Sequence, residues 1–128
     1  MSDRVPRIVI ADDDDDIRGL MVIAGKRAGA EIVAAVDNGR SALDTVLAQD
    51  IDLAVLDISM PGLNGVEVAE AIRAQRPQTL ILMVSASVQL LTDHGVVAER
   101  SDSFIIKPFS PRVLSERIRE MLAIEVGA

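Results

Sequence analysis

The sequence predicts an α/β fold of the (βα)₅ type: five parallel strands joined by helices and wound into an open sheet with helices on both faces. Two observations carry this. Short, nearly continuous apolar runs alternate with longer amphipathic stretches, as βαβ units require, and strands that read as apolar throughout are those covered on both faces. Four of the runs also end abruptly in Asp, Ser or Lys: Ile8-Val9-Ile10-Ala11 before Asp12-Asp13, Leu53-Ala54-Val55-Leu56 before Asp57, Leu80 to Val84 before Ser85, and Phe104-Ile105-Ile106 before Lys107-Pro108.

Taken in order, the strands read at about 7–11, 31–36, 52–57, 80–85 and 103–106. Ile17, Leu20, Met21, Ala24 and Ala28 fall at helical spacing, which predicts a first helix from about Asp14 to Ala28, stopped by Gly29. Asp37-Asn38-Gly39 reads as a turn into a second helix through Ala42, Leu43, Val46 and Leu47. Asn64 with Glu67 three residues later has the form of a capping box for a third helix, which ends before Pro77. Ser87 is a candidate cap for a fourth helix near 88–98. Ser110 followed by Pro111 opens the last helix, with an apolar stripe of Leu114, Ile118, Met121 and Leu122. Right-handed crossovers and a strand order of 2-1-3-4-5 place the topological switch point between the first and third strands, where ligands bind beyond the carboxyl ends. Asp12, Asp13 and Asp57 end those two strands.

Length and composition narrow the function. The 128 residues fit one domain, read as residues 1–128 with a core at about 7–123. Hydrophobic residues make up 49% of the chain, and the core they build is aliphatic, because there are two Phe and neither Trp nor Tyr. The net charge of −7 argues against nucleic-acid binding by general phosphate attraction, which needs clustered Lys and Arg. The absence of cysteine excludes disulfides, zinc–thiolate sites and iron–sulfur clusters. Residues 1–7 lack the apolar run of a signal peptide, and no stretch is long enough to span a membrane. The expected location is the cytoplasm.

The strand ends carry the chemistry. Two or three carboxylates brought together resist joint ionisation unless a cation lies among them. Oxygen-only ligands favour magnesium or calcium, and magnesium, which takes one or two carboxylates and keeps several waters, suits a shallow edge site. Asp14, Asp15 and Asp16 have a simpler reading as acids at a helix start; Asp12 and Asp13 terminate a buried strand and are the metal candidates. The acidic run lacks the glycine and closing Glu of a calcium loop. A carboxylate such as Asp57 can be a covalent nucleophile and become an aspartyl phosphate, a task that needs a metal and donors for the phosphoryl oxygens. Lys107 offers a fixed positive charge and Ser85 a hydroxyl. Taken singly, Asp57 could start a turn, Lys107 could be a surface lysine, and a lone strand-end Ser more often bonds to backbone; their shared placement at one sheet edge favours the joint reading.

These residues resemble the receiver domain of bacterial two-component response regulators, the CheY-like family. The matching segments are Val9 to Asp14, Asp52 to Gly65, Met83-Val84-Ser85-Ala86 and Lys107-Pro108-Phe109, in the family's order and spacing, over about residues 7–123. The resemblance implies a flavodoxin-like sheet, Asp57 as phosphoacceptor, and Mg²⁺ held directly by Asp13, Asp57 and the Ser59 backbone carbonyl, with Asp12 acting mainly through metal-bound water. It implies that Lys107 and Ser85 bind the phosphoryl group, that Ala86 is the small neighbour leaving access to it, and that Phe104 is the switch aromatic, a position also explained by core burial. It implies a cis bond before Pro108, against a base rate of about 5% for X-Pro bonds. Two features depart from the pattern: Asp15 stands where Pro is common, and Glu99 to Ser103 replaces a Gly-Ala pair before the last strand. His94 is expected to be an exposed helical residue.

The function implied is a phosphoacceptor switch rather than a turnover enzyme. It takes a phosphoryl group from a sensor histidine kinase or histidine phosphotransfer protein and alters the surface of the fourth helix, fifth strand and fifth helix, which a downstream protein or linked output domain reads. Two alternatives stand beside it. One is a Mg²⁺-dependent phosphohydrolase, which expects a second Asp where this chain has Ser59. The other is an interaction module with the same fold and no phosphorylation.

Overall fold

The computed structural model describes residues 4–87, 89 and 102–123. Five strands form one parallel sheet: β1 (Arg7–Ala11), β2 (Glu31–Val36), β3 (Leu53–Asp57), β4 (Leu80–Ser85) and β5 (Ser103–Ile106). Their order is β2-β1-β3-β4-β5, the doubly wound arrangement expected. The helices are α1 (Asp15–Arg27), α2 (Gly39–Ala48), α3 (Gly65–Gln75) and α4 (Pro111–Leu122). The helix expected near 88–98, and His94 with it, lies outside the described residues.

Local signals set the helix ends. Asp14 caps α1 by accepting from the backbone N–H groups of Asp16 and Ile17, and Asp15 and Asp16 fill the first turn, where carboxylates complement the helix dipole. Gly29 stops the helix at φ 93°, a left-handed conformation that glycine adopts without a steric penalty. Asn38 caps α2. Asn64 and Glu67 form a reciprocal capping box on α3. Ser110 caps α4, with Pro111 in the first turn.

Alternation along the strands divides the core in two. Val9, Ala11, Ala54, Leu56, Ile81 and Met83 face α2 and α3, packing on Ala42, Val46, Val68, Ala69 and Ile72. Ile8, Ile10, Leu53, Val55, Leu82 and Val84 face α1 and α4, packing on Met21, Ala24, Leu114 and Ile118. The central strand β3 is buried at all five positions. The edge strand β2 differs from the expectation of full coverage: Glu31 and Ala35 are exposed and the rest half-buried, because β2 has a neighbouring strand on one side only.

Register positions the site. Ala11 lies opposite Leu56, Asp57 opposite Val84, and Ser85 opposite Ile106. The strands therefore end nearly level, and Asp12, Asp57, Ser85 and Lys107 emerge side by side. The Lys107 N–H donating to the Ser85 carbonyl at 2.7 Å carries this alignment one residue past the ladder.

Candidate functional site

Asp12, Asp13 and Asp57 each offer a carboxylate oxygen, and these oxygens lie within 4.8 Å of one another. Asp12 is fully buried and Asp57 nearly so, at 4% exposure; Asp13 is exposed at the rim. Lys107 projects between the two buried acids, its Nζ 2.9 Å from Asp12 Oδ2 and 3.4 Å from Asp57 Oδ2. One ammonium thus serves two buried carboxylates, with a third at the edge.

The electrostatics follow. Burial, the largest influence, and the neighbouring Asp12 carboxylate push the Asp57 carboxyl up to about 6, against the opposing pull of Lys107 and of the Ser59 backbone N–H that donates to it. Burial acts to lower Lys107, but the hydrogen bond to Asp12 and the charge of Asp57 outweigh it and hold the ammonium charged, above the usual lysine value. Asp12 Oδ2 is fully buried, and Lys107 is its one close partner among the described residues. Surplus negative charge, an all-oxygen donor set and an underused buried acceptor fit a hard divalent cation.

The turns hold this geometry. The Asp12 N–H donates to the Val36 carbonyl at 3.1 Å, and its Oδ1 accepts from the Asp14 N–H at 2.9 Å. The Ile58 N–H donates to the Val84 carbonyl at 3.0 Å and the Gly65 N–H to the Ile58 carbonyl at 2.9 Å, closing the loop that carries Ser59. Gly62, at φ 73°, makes the reversal in that loop. Two other glycines are needed for space. A Cβ on Gly65 would lie 2.3 Å from the Asp57 carbonyl oxygen, and one on Gly39 would lie 2.1 Å from the Leu63 carbonyl oxygen.

The remaining residues singled out by the sequence surround this group. Ser85 is buried beside it, but its hydroxyl is engaged with backbone: Oγ donates to the Ser87 carbonyl at 3.0 Å and accepts from the Ser87 N–H at 3.2 Å. Ser59 and Ala86 are exposed. Phe104 is half-buried and packs on the cluster beneath α2 and α3, and its carbonyl accepts from Arg117 Nη1 at 2.7 Å. The Lys107–Pro108 bond is cis. The close-approach roles of Gly39 and Gly65 were not readable from sequence, since they depend on which carbonyls the fold brings against those positions. Arg18 was also missed. Its i, i+3 spacing from Asp15 was a signal, but its bond to the Asp12 carbonyl was not.

A family model described as the response regulator receiver domain matches residues 8–119. The chain is similar to the uncharacterized transcriptional regulatory protein YrkP of Bacillus subtilis, at 36% identity over 112 residues, covering 88% of this chain and 47% of that protein. It is also similar to the alkaline phosphatase synthesis transcriptional regulatory protein PhoP of the same organism, at 32% identity over 116 residues, covering 91% and 48%. The chain thus spans about half the length of these relatives. Among solved structures it resembles a CheY-like response regulator receiver domain protein from Methanospirillum hungatei, with a TM-score of 0.84, 28% identity and coverage of 94% of this chain and 95% of that one. It also resembles the response regulator TrrA of Thermotoga maritima in complex with Mg²⁺ and BeF, with a TM-score of 0.80, 32% identity and coverage of 91% and 99%. With the family model spanning most of the chain and the acidic pocket lying at the sheet edge where the family motifs place it, this chain belongs to the receiver-domain family of two-component response regulators.

Proposed function

We propose that Asp57 accepts a phosphoryl group from a histidine kinase or histidine phosphotransfer protein, and that the protein works as a switch rather than a turnover enzyme. The observation that carries this reading is the Asp57 carboxylate at the end of the buried central strand, with Lys107 at 3.4 Å and two further carboxylates beside it. Asp12, Asp13, Asp57 and the Ser59 carbonyl would hold Mg²⁺, which when bound screens the negative charge of an incoming phosphoryl group.

The chain's own residues do the rest. An Asp57 oxygen attacks phosphorus in line with the departing donor nitrogen; the P–O bond forms as the N–P bond breaks, and the imidazole nitrogen keeps the bonding pair. Lys107, already charged, exchanges its contact with the Asp57 carboxylate for one with a phosphoryl oxygen. Ser85 must give up both bonds to the Ser87 backbone before its hydroxyl can donate to another, with Ala86 leaving the approach open. That movement clears space toward which half-buried Phe104 can turn, altering the surface of β5, α4 and the segment near 88–98 for a downstream protein or linked output domain. A nearly complete two-state swing takes roughly 5.5 kcal/mol, within reach of a few charge-assisted hydrogen bonds of roughly 1.5–3 kcal/mol each.

Ser59, two residues beyond Asp57, supplies no carboxylic acid for repeated ester hydrolysis, which favours the switch over a phosphohydrolase. The array of Asp12, Asp13, Asp57, Ser85 and Lys107 favours phosphorylation over a purely structural module. Residues 1–128 form one receiver unit on this reading, with no direct nucleic-acid contact and a cytoplasmic setting; among the described residues no helix is long and apolar enough to cross a membrane.

Incubation with acetyl phosphate or phosphoramidate and magnesium, followed by intact-mass measurement, tests the proposal. The expected result is one added phosphoryl group, absent in Asp57→Asn and in EDTA. No mass change together with no magnesium affinity would point to the structural module, and rapid turnover of many phosphate esters to the hydrolase.

A further inference from the structure

Asp12 is tethered at almost every polar atom. Its N–H donates to Val36, its Oδ1 accepts from the Asp14 N–H, and its carbonyl oxygen accepts from Arg18 Nη1 at 2.9 Å. Only Oδ2 is left to face Lys107. The same guanidinium reaches Asp15 Oδ1 through Nη2 at 2.5 Å, while the Arg18 N–H donates to the Asp14 carbonyl at 2.9 Å within the first turn of α1. One planar cation, with its side chain only 22% exposed, therefore spans the Asp12–Asp15 turn from its first residue to its last. It does so through the backbone of Asp12 and the side chain of an acid outside the pocket, and so leaves the pocket carboxylates themselves to other partners.

We propose that Arg18 is the positioning residue of the acidic pocket: by bridging the Asp12 carbonyl and the Asp15 carboxylate, it fixes the turn that presents Asp12 and Asp13 to a divalent cation. The inference rests on the reading of that pocket as a magnesium site. A fork of donors is needed, because the two acceptors lie on different groups and a single ammonium cannot match both with the same geometry. The chemistry also gives the proposal a distinctive sign. A fixed positive charge close to a cation site repels the cation, so deleting Arg18 should tighten magnesium binding if charge were its only influence. Deleting a positioning residue has the opposite effect, because the ligands lose their preset arrangement.

The test is calorimetric titration of magnesium into the wild-type chain, Arg18→Met and Arg18→Lys, with circular dichroism and urea unfolding in EDTA to establish that each variant is folded. Arg18→Met should bind magnesium about tenfold more weakly, the low end of the range for groups that orient metal ligands. Arg18→Lys, which keeps the charge and loses the fork, should also be weakened. Should Arg18→Met not fold, Arg18→Lys decides alone. Tighter or unchanged binding in Arg18→Met, or wild-type affinity in Arg18→Lys, overturns the inference while leaving the pocket intact as a magnesium site. A wild-type chain that binds no magnesium overturns both.

Discussion

The two edges of the sheet carry similar residue types and use them in opposite ways. At the amino edge the charges are matched. Asp52 pairs with Arg4 and accepts from the Arg7 N–H at 2.7 Å; Arg7 reaches Gln49 and the Asp50 carbonyl. Asp102 pairs with Arg73 at 2.7 Å while accepting from the Ile81 N–H at 2.8 Å. Buried Thr79 donates to the Ile51 carbonyl. At the carboxyl edge two buried carboxylates share one lysine beside a third at the rim, one carboxyl is pushed up to about 6, and a buried Asp12 oxygen has only that lysine as a close partner among the described residues. Matched charge tethers loops to a sheet. Surplus charge suits a site that takes an ion, and that contrast sets the candidate functional edge apart from the other.

Breaking the carboxyl edge should have the larger consequences. Lys107→Met removes the ammonium shared by Asp12 and Asp57 and should destabilise the metal-free protein by about 3 kcal/mol, the low end for losing one partner of a buried pair; urea unfolding in EDTA measures it, and magnesium should recover part of the loss.

Asp57→Asn acts in the reverse direction. The native state holds the Asp57 proton up to about pH 6, whereas the unfolded chain releases it near the ordinary value of 3.8. Between those values the native state binds more protons, so stability falls as pH rises through the window and the full penalty is present above it. Asp57→Asn should therefore stabilise the metal-free protein at pH 8 by up to about 3 kcal/mol and show little gain at pH 4, as read by unfolding midpoints at the two values. Saturating magnesium should narrow the pH 8 gap, because the ion stabilises the wild type selectively. A gain that persists equally at pH 4 would mean that charge crowding is not the cause.

The amino edge should respond weakly. Asp52→Asn loses the Arg4 pair and weakens the bond to the Arg7 N–H, and should cost about 1 kcal/mol. Arg4→Ala, which opens a pair whose arginine side chain is half exposed, should leave the urea unfolding midpoint nearly unchanged. Neither should alter magnesium affinity in a calorimetric titration. An amino-edge variant that did alter it would erase the distinction between the edges.

Much of this was legible in the residues. The caps at Asn64 and Ser110 are local bonds between a side chain and a backbone a few residues away, so sequence spacing suffices to read them; Asp14 and Asn38, read only as a helix start and part of a turn, are caps of the same kind. Asp12, Asp13, Asp57 and Lys107 were readable because each follows an apolar run, and parallel strands share a carboxyl edge. Ser85 shows where such reading stops. Its place in the row was predictable, while the pairing of its hydroxyl with the Ser87 backbone depends on how the chain turns after β4. The half-exposed face of β2 was equally hidden, since apolar composition does not reveal that a strand lies at the edge of a sheet.

By itself the sequence determined the periodicities, the starts of the described helices and the identity of the groups at the strand ends, because these depend on neighbours within a turn or a single strand. The tertiary structure alone decided the register that levels Asp12, Asp57, Ser85 and Lys107, the sharing of one ammonium between two buried acids, the reach of Arg18 to the Asp12 carbonyl, and the clearances at Gly39 and Gly65. Each of these is a contact between segments that meet only when side chains pack across the sheet, and packing, unlike capping, is a property of the whole chain at once.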